Sequence, residues 1–239
     1  MVIIEKVLIT GTSNGVGKAA AKKFLSQGYK VIGLDILPAT ISNDNYTHYT
    51  VDVSEKTQLP NIKGINYIVN NAGIVTPKKD AIKVNLYGYM NIIETYGYDS
   101  ALKSIVNIGS TASVKGYDNL EYNVSQGGRD ALTKWAANNF GNDERHVIVN
   151  EIRLDGIVAA DPSKGIEGTS LEPELYAAEG LMDKIAKLSV LRRLATVENI
   201  AEWIYFVAVI NNCMTGQIID IDGELIGAYQ FQTYPGWND

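Results

Sequence analysis

Residues 3–17 read Ile3-Ile4-Glu5-Lys6-Val7-Leu8-Ile9-Thr10-Gly11-Thr12-Ser13-Asn14-Gly15-Val16-Gly17. Val7, Leu8 and Ile9 form a short apolar run rich in branched side chains, the pattern of a parallel strand buried on both faces. Thr10-Gly11 turns the chain. Gly15 and Gly17 open a helix that continues through Lys18-Ala19-Ala20-Ala21-Lys22-Lys23-Phe24-Leu25. A strand, a glycine loop and a helix N-terminus compose an anion site, because free N–H groups and the positive end of the helix dipole can face a pyrophosphate. In that reading Gly11 supplies the tight turn, Gly15 lets the backbone approach the phosphates, and Gly17 lets the helix pack on the strand. The spacing is Gly-x-x-x-Gly-x-Gly, not the Gly-x-Gly-x-x-Gly of the usual dinucleotide fingerprint. The same residues also suit a plain tight β–α turn, so the rest of the chain carries the decision.

Beyond the first helix, strand and helix patterns alternate. Gly28–Asp35 reads as a turn and a second buried strand, 37–46 as a polar surface loop, and Thr47–Asp52 as a third strand. Ser54 opens a short helix or turn. Gly64–Asn70 is strand four, and Asp80–Tyr96 has helical spacing with Ile82, Leu86, Met90 and Ile93 on one stripe. Ser104–Ile108 is strand five. Tyr122–Phe140 is a long helix with Leu132, Trp135 and Ala136 on its apolar side, and Val147–Leu154 is strand six. Two weak helical patterns lie within 159–190, followed by a helix at Val197–Asn211 and strand seven at Gln217–Ile221. This alternation predicts an α/β fold: a Rossmann-type, doubly wound, parallel seven-stranded sheet with helices on both faces. With no internal repeat or low-complexity linker, the 239 residues read as one domain, 1–239.

Composition narrows the function. The net charge is −6 and no basic stripe is present, which argues against nucleic acid as a partner. The apolar start is shorter than a signal-peptide core or a membrane helix, so no membrane association is expected. Cys213 is the only cysteine, which excludes an internal disulfide and fits a reducing, cytoplasmic setting. His48 and His146 stand without a cysteine cluster, and no metal site is expected.

Three polar positions follow strand ends. Asp35 comes 18 residues after Gly17. In a dinucleotide site an acid there accepts hydrogen bonds from the adenosine ribose and repels a 2′-phosphate, which selects NAD over NADP. No Arg or Lys at Ser13 or Asn14 counters it. Asp35 also suits an ordinary strand-end turn. Asp52 suits the adenine amino group, with Val53 near the ring, and equally a helix-capping region. Asn70-Asn71-Ala72-Gly73 ends strand four with small residues that let backbone pass close to a ligand.

Taken together, these pieces resemble the short-chain dehydrogenase/reductase family. The matching elements are Thr10–Gly17, Asp35, Asp52-Val53, Asn70–Gly73, Asn85, Ser110, Tyr122 and Thr215–Gly223, in order over nearly the whole chain. The resemblance implies hydride transfer between a nicotinamide cofactor, here NAD(H), and a small secondary alcohol or its ketone. It implies Tyr122 as general acid/base, Ser110 as the partner of the substrate oxygen, and Asn85 as organiser of a proton-relay water. A carbonyl that accepts hydride becomes an alkoxide, which needs a proton donor and a hydrogen-bond partner. By position it further implies Gly11, Ser13, Asn14, Gly15, Val16, Gly17, Asp35, Ile36, Asp52, Val53, Asn71, Ala72, Gly73, Tyr122, Gln126, Asp155, Gly156 and Ile157 as cofactor contacts. Each catalytic candidate also has a plain reading: Asn85 as a satisfied buried amide, Ser110 as a strand-end cap, Tyr122 as a core aromatic with a polar tip.

The departures cluster at the reactive end. The family's Tyr-x-x-x-Lys would put lysine at 126, where the chain has Gln126. Positions 122 and 126 share a helical face. A glutamine can donate to a ribose hydroxyl but carries no charge, and a nearby cation lowers an acid's pKa by about 1–3 units. Arg129, two turns from Tyr122, is not expected to reach back and replace that lysine. The family's Pro-Gly after strand six becomes Asp155-Gly156, a threonine expected shortly after falls at Ala160, and the segment between Gly73 and Asn85 is short. Residues 159–190, with Leu171, Leu175, Tyr176, Leu181 and Met182, are expected to form a flap over the substrate. The resemblance implies a homodimer or homotetramer paired through 80–97 and 122–140, and the aromatic tail 229–237 is expected to pack against the body or a neighbour. The rival reading is a catalytically impaired NAD-binding sensor or scaffold.

Overall fold

The computed structural model describes residues 4–158, 168 and 180–223. Seven strands form one sheet: β1 (Lys6–Thr10), β2 (Lys30–Asp35), β3 (Tyr46–Thr50), β4 (Tyr67–Asn70), β5 (Ser104–Ser110), β6 (Ile148–Leu154) and β7 (Ile218–Ile221). Their order is β3-β2-β1-β4-β5-β6-β7, and every pair is parallel. The expected fold class is therefore the observed one.

The helices are α1 (Gly15–Ser26), α2 (Gly88–Tyr96), α3 (Ala112–Lys115), α4 (Leu120–Gly141), α5 (Leu181–Leu188) and α6 (Val197–Tyr205). Alternation along β1 assigns the two cores. Val7 and Ile9 join Phe24 of α1 and Val197, Ile200 and Ile204 of α6 on one face. Leu8 joins Ile92, Ile93 and Tyr96 of α2 and Ala136 and Phe140 of α4 on the other. Period two in the strand and 3.6 in the helices are thus both met by one set of side chains. Two helix starts are fixed chemically. Asn119 Oδ1 caps α4 by accepting from the Tyr122 N–H at 3.0 Å. Thr196 and Asn199 form a reciprocal capping box on α6.

Four local expectations are corrected. Strand four begins at Tyr67, not Gly64, because Gly64 turns with φ +72 and the N–H of Ile65 goes to Asp99 instead of a ladder partner. The helix at 80–96 is interrupted: a π turn at Lys83–Tyr87 precedes α2. The additional residue in that turn rotates the buried face. Ala81, Asn85, Tyr89, Ile92, Ile93 and Tyr96 face the core, while Ile82, Leu86 and Met90 are half-buried. On α4, Trp135 is 46% exposed rather than on the apolar side, with its ring edge-on to Phe140 at 5.9 Å. The helix predicted over 197–211 likewise ends in a π turn, Phe206–Ile210.

Candidate active site

Because all seven strands run the same way, their C-terminal ends share one edge. The order reverses between β1 and β4, which opens a crevice there. Thr10 closes its floor. The Thr10 hydroxyl accepts from the N–H groups of Asn71 and Ala72, both at 2.9 Å. Asn71 Nδ2 donates to the carbonyls of Thr10 at 3.0 Å and Gly11 at 3.4 Å. A side chain at Gly17 has no room: its Cβ would lie 2.1 Å from the Gly11 carbonyl oxygen and 2.5 Å from Asn71 Nδ2. Helix α1 therefore packs directly on the loop that precedes it. Gly11 and Gly15 hold φ +75 and +56. Asn14, at the N-cap in extended conformation, makes no side-chain cap, and the first turn of α1 carries no acid.

Asp35 sits at the end of β2 against that loop. Its Oδ2 accepts from the Ser13 N–H and its Oδ1 from the Leu37 N–H, each at 2.9 Å. The Ser13 hydroxyl donates to the Pro38 carbonyl at 2.9 Å, so the polar groups of Ser13 are engaged within the protein. Thr12 joins a chain through Tyr46 to His48, whose Nε2 meets the Leu37 carbonyl at 2.9 Å. These bonds draw 37–40 over the glycine loop and leave Ile36 exposed. Asp52 makes a local turn: its Oδ1 accepts from the Ser54 N–H at 2.8 Å, and the short helical turn that follows at Lys56–Gln58 has no side-chain cap. Val53 is buried, and its Cγ2 would be 2.9 Å from a Cβ on Gly88.

At the other end of the crevice, Asn85 is fully buried in the π turn. Its side chain clasps Ile74 twice, accepting from the N–H at 2.8 Å and donating to the carbonyl at 2.7 Å. That clasp ties the short 74–84 connection to the Asn71–Gly73 turn. Ser110 ends β5 opposite Leu154 of β6, and its hydroxyl accepts from the Ala112 N–H at 3.2 Å. Tyr122 is half-buried in the first turn of α4. Asp155 follows β6, with Oδ2 accepting from Thr111 Oγ1 at 2.7 Å, the Tyr117 hydroxyl at 2.8 Å and the Lys115 ammonium. Gly156 takes φ +46, and Ile157 is buried and bridges Ala195. Ala160, Leu171, Leu175, Tyr176 and the tail 229–237 lie outside the described residues. Leu181 and Met182 begin α5.

The Arg129 guanidinium reaches back one turn, donating through Nη1 to Gln126 Oε1 at 3.0 Å. Nη1 also donates to the Ile108 carbonyl at 2.7 Å, and Nε to the Asn85 carbonyl at 2.6 Å. The group lies over the Tyr89 ring, 3.9 Å from its centroid. Helical side chains lean toward the N-terminus, and counting residues along the helix alone underestimates that reach. Ser125, between the two, accepts from Asn85 Nδ2 at 3.3 Å. Nearby, burial pushes the Glu151 carboxyl up to about 8, with the Asp130 carboxyl adding to the rise against the Thr133 hydroxyl and Arg129. Burial thus favours the protonated form of Glu151. Its buried position on β6 carried no signal in the sequence beyond an acid inside an apolar strand.

Among the described residues no group of three or more His, Cys, Asp or Glu is placed to hold a metal ion. No helix among them is long and apolar enough to cross a membrane.

Sheet order, crevice and glycine loop define a doubly wound α/β fold of the Rossmann type. The family model described as enoyl-(acyl carrier protein) reductase matches residues 11–224. The 3-oxoacyl-[acyl-carrier-protein] reductase FabG of Thermotoga maritima is 28% identical over 252 residues, covering 92% of this chain and 96% of that protein. A structure of ElxO with NADP bound superposes with a TM-score of 0.78 at 24% identity, covering 94% of this chain and all of that one (100%). A 4-hydroxyisoleucine dehydrogenase complexed with NADH gives 0.75 at 23% identity, covering 92% of this chain and 97% of that one. The chain belongs to the short-chain dehydrogenase/reductase family, and it is an oxidoreductase of that family.

Proposed function

We propose that this enzyme interconverts a secondary alcohol and a ketone with NAD(H). The observation that carries the cofactor choice is Asp35, whose carboxylate stands at the end of β2 hydrogen-bonded to the glycine loop. The crevice suits such a cofactor: α1 opens without a side-chain cap or a first-turn acid, so its N–H groups suit a pyrophosphate. Gly11, Gly15 and Gly17 keep the backbone approachable there, with Asn14 and Val16 completing the loop. Asp35 and Ile36 would face the adenosine ribose, Asp52 and Val53 the adenine, and Asn71, Ala72 and Gly73 the nicotinamide half.

When bound, the cofactor supplies or accepts the hydride. In the reducing direction the substrate oxygen gains negative charge as its carbon accepts hydride. The Tyr122 hydroxyl donates the proton that makes this oxygen an alcohol. The Ser110 hydroxyl donates a hydrogen bond to the same oxygen and holds it in place. In oxidation Tyr122 accepts the proton back and acts as the base.

NADH is expected to bind at least about tenfold more tightly than NADPH. Two like charges within a few ångström at an interior-like effective dielectric repel by several kcal/mol, and about 1.4 kcal/mol suffices for tenfold. Titration of nucleotide fluorescence reads this directly, and tighter NADPH would overturn the cofactor assignment. A panel of ketones and alcohols then separates the enzyme from its rival: NADH binding without turnover would favour a sensor.

A homodimer or homotetramer is expected as well. Tyr87 and Tyr98, flanking α2, and Leu120, Val124 and Trp135 on α4 are exposed, and together they leave apolar surface in water. Light scattering at micromolar concentration is expected to report an oligomer; a monomer would refute it.

A further inference from the structure

Arg129 is a buried cation without an anion beside it. It is 4% exposed, and no carboxylate among the described residues lies within ion-pair distance of it. Its N–H groups bond to the carbonyls of Asn85 and Ile108 and the side chain of Gln126. Nη2 has no partner among the described residues, and it lies 3.3 Å from where a Cβ on Gly73 would be. A Cβ there would crowd the guanidinium, and glycine leaves that approach open. An unpaired buried charge is costly, and this one is retained beside the turn that closes the crevice.

Its contacts act on position 126. A guanidinium can only donate. The Gln126 oxygen is therefore the atom turned to Arg129, and Gln126 Nε2 is turned the other way, 3.3 Å from Ser125 Oγ. Ser125 Oγ in turn donates to the Tyr122 carbonyl at 2.7 Å. The Arg129 backbone stands seven residues from Tyr122 on one helical face, about 10 Å along the axis, and its side chain leans back from there.

We propose that Arg129 is a positioning residue that supplies, from inside the core, the positive field that position 126 lacks, and favours the tyrosinate form of Tyr122. Gln126 is fully buried, with its Nε2 on Ser125 Oγ, so it links Arg129 to the first turns of α4. The other ionisable groups on the elements packed around this part of α4 are Tyr89 of α2, Glu151 and Arg153 of β6, Glu121 and Asp130 of α4 itself, Lys78, Lys79, Asp80, Lys83 and Tyr87 of the 78–87 segment, and the Lys115, Tyr117 and Asp155 cluster between β5 and β6. Burial favours the neutral form of Glu151, Arg153 is paired with Asp130 and Asp220, and Lys115 is paired with Asp155. Within this group Arg129 is thus the buried charge left without a counterion. At an effective dielectric near 20, a unit charge about 10 Å away moves a titration by about one pH unit.

The test is the near-ultraviolet tyrosinate titration of Tyr122, taken as the difference between each protein and its Tyr122→Phe version, with and without NAD. In Arg129→Met the Tyr122 titration is expected to move up by about one pH unit. Arg129→Met with Gln126→Lys returns a cation to the same face and is expected to bring the titration back down. A titration unmoved by Arg129→Met in a folded protein overturns the proposal, as does a shift that Gln126→Lys does not reverse. Should Arg129→Met fail to fold, Arg129→Lys decides instead. It keeps the charge and loses the fork, so the titration should stay near wild type. A full-unit rise with the charge retained would place the effect in packing and overturn the field. If wild type binds no NADH at all, the cofactor reading fails, and the titration of the free protein still decides whether Arg129 acts on Tyr122.

Discussion

Tyr122→Phe is expected to lower carbonyl reduction by about 10²- to 10⁴-fold, the usual worth of a positioned proton donor, while NADH still binds. The substitution removes one oxygen and little else. The helix start does not depend on it, because the α4 cap is made through the backbone N–H of residue 122. The half-buried ring keeps its volume. In the variant the nascent alkoxide keeps the Ser110 hydroxyl but has no adjacent acid, so the loss should fall on kcat with little change in KM. Retention of more than about a tenth of wild-type kcat would move the proton donor elsewhere, with the Tyr117 hydroxyl as the next group to test.

Gly17→Ala is expected to be the most disruptive single substitution in the nucleotide half. The added methyl would lie 2.1 Å from the Gly11 carbonyl oxygen. That neighbour is backbone, locked by the bonds of Asn71, so α1 itself must move. Overpacking a site that cannot relax costs about 3 kcal/mol or more. Because α1 carries the proposed pyrophosphate site, NADH affinity should fall with it. Gly127→Ala is the control. It sits inside α4 with nothing within 4 Å of the added atom, and alanine there should raise stability by up to about 1 kcal/mol. Thermal unfolding of both proteins checks the pair; a Gly17→Ala protein that melts and binds NADH like wild type would refute the packing argument.

The sheet is legible in the sequence because its signals are local. Val7-Leu8-Ile9 and Ser104–Ile108 are apolar runs that only a two-sided sheet can bury, and each recurs near the position predicted. The glycine loop is legible because three glycines at one spacing answer one steric demand, and Gly17 shows that demand directly. Features that depend on long-range contact are not. The π turn at Lys83–Tyr87 adds a residue to one turn without any Gly or Pro to mark it, which is why Leu86 and Met90 leave the predicted stripe. Sequence spacing does not show the contact of Arg129 with Gln126 because spacing shows faces, not reach; the carbonyls of Asn85 and Ile108 that anchor it come from other elements. Asp155 reads as a cofactor contact from its position after strand six, and nothing local announces that Thr111, Lys115 and Tyr117 converge on its carboxylate.

Thr10 has a bearing on how the chain is made. Its hydroxyl waits for the amides of Asn71 and Ala72, some 61 and 62 positions further on. During synthesis β1, α1 and β2 leave the ribosome first and can form a local β-α-β unit, yet β1, a central strand, keeps one edge open until β4 arrives. Non-local parallel pairing of this kind is slow and leaves an unpaired edge exposed meanwhile. The crevice floor does not exist before that encounter. On the proposed reading, nucleotide would not template the early half of folding, because a chain stalled before residue 71 carries the glycine loop without the crevice floor.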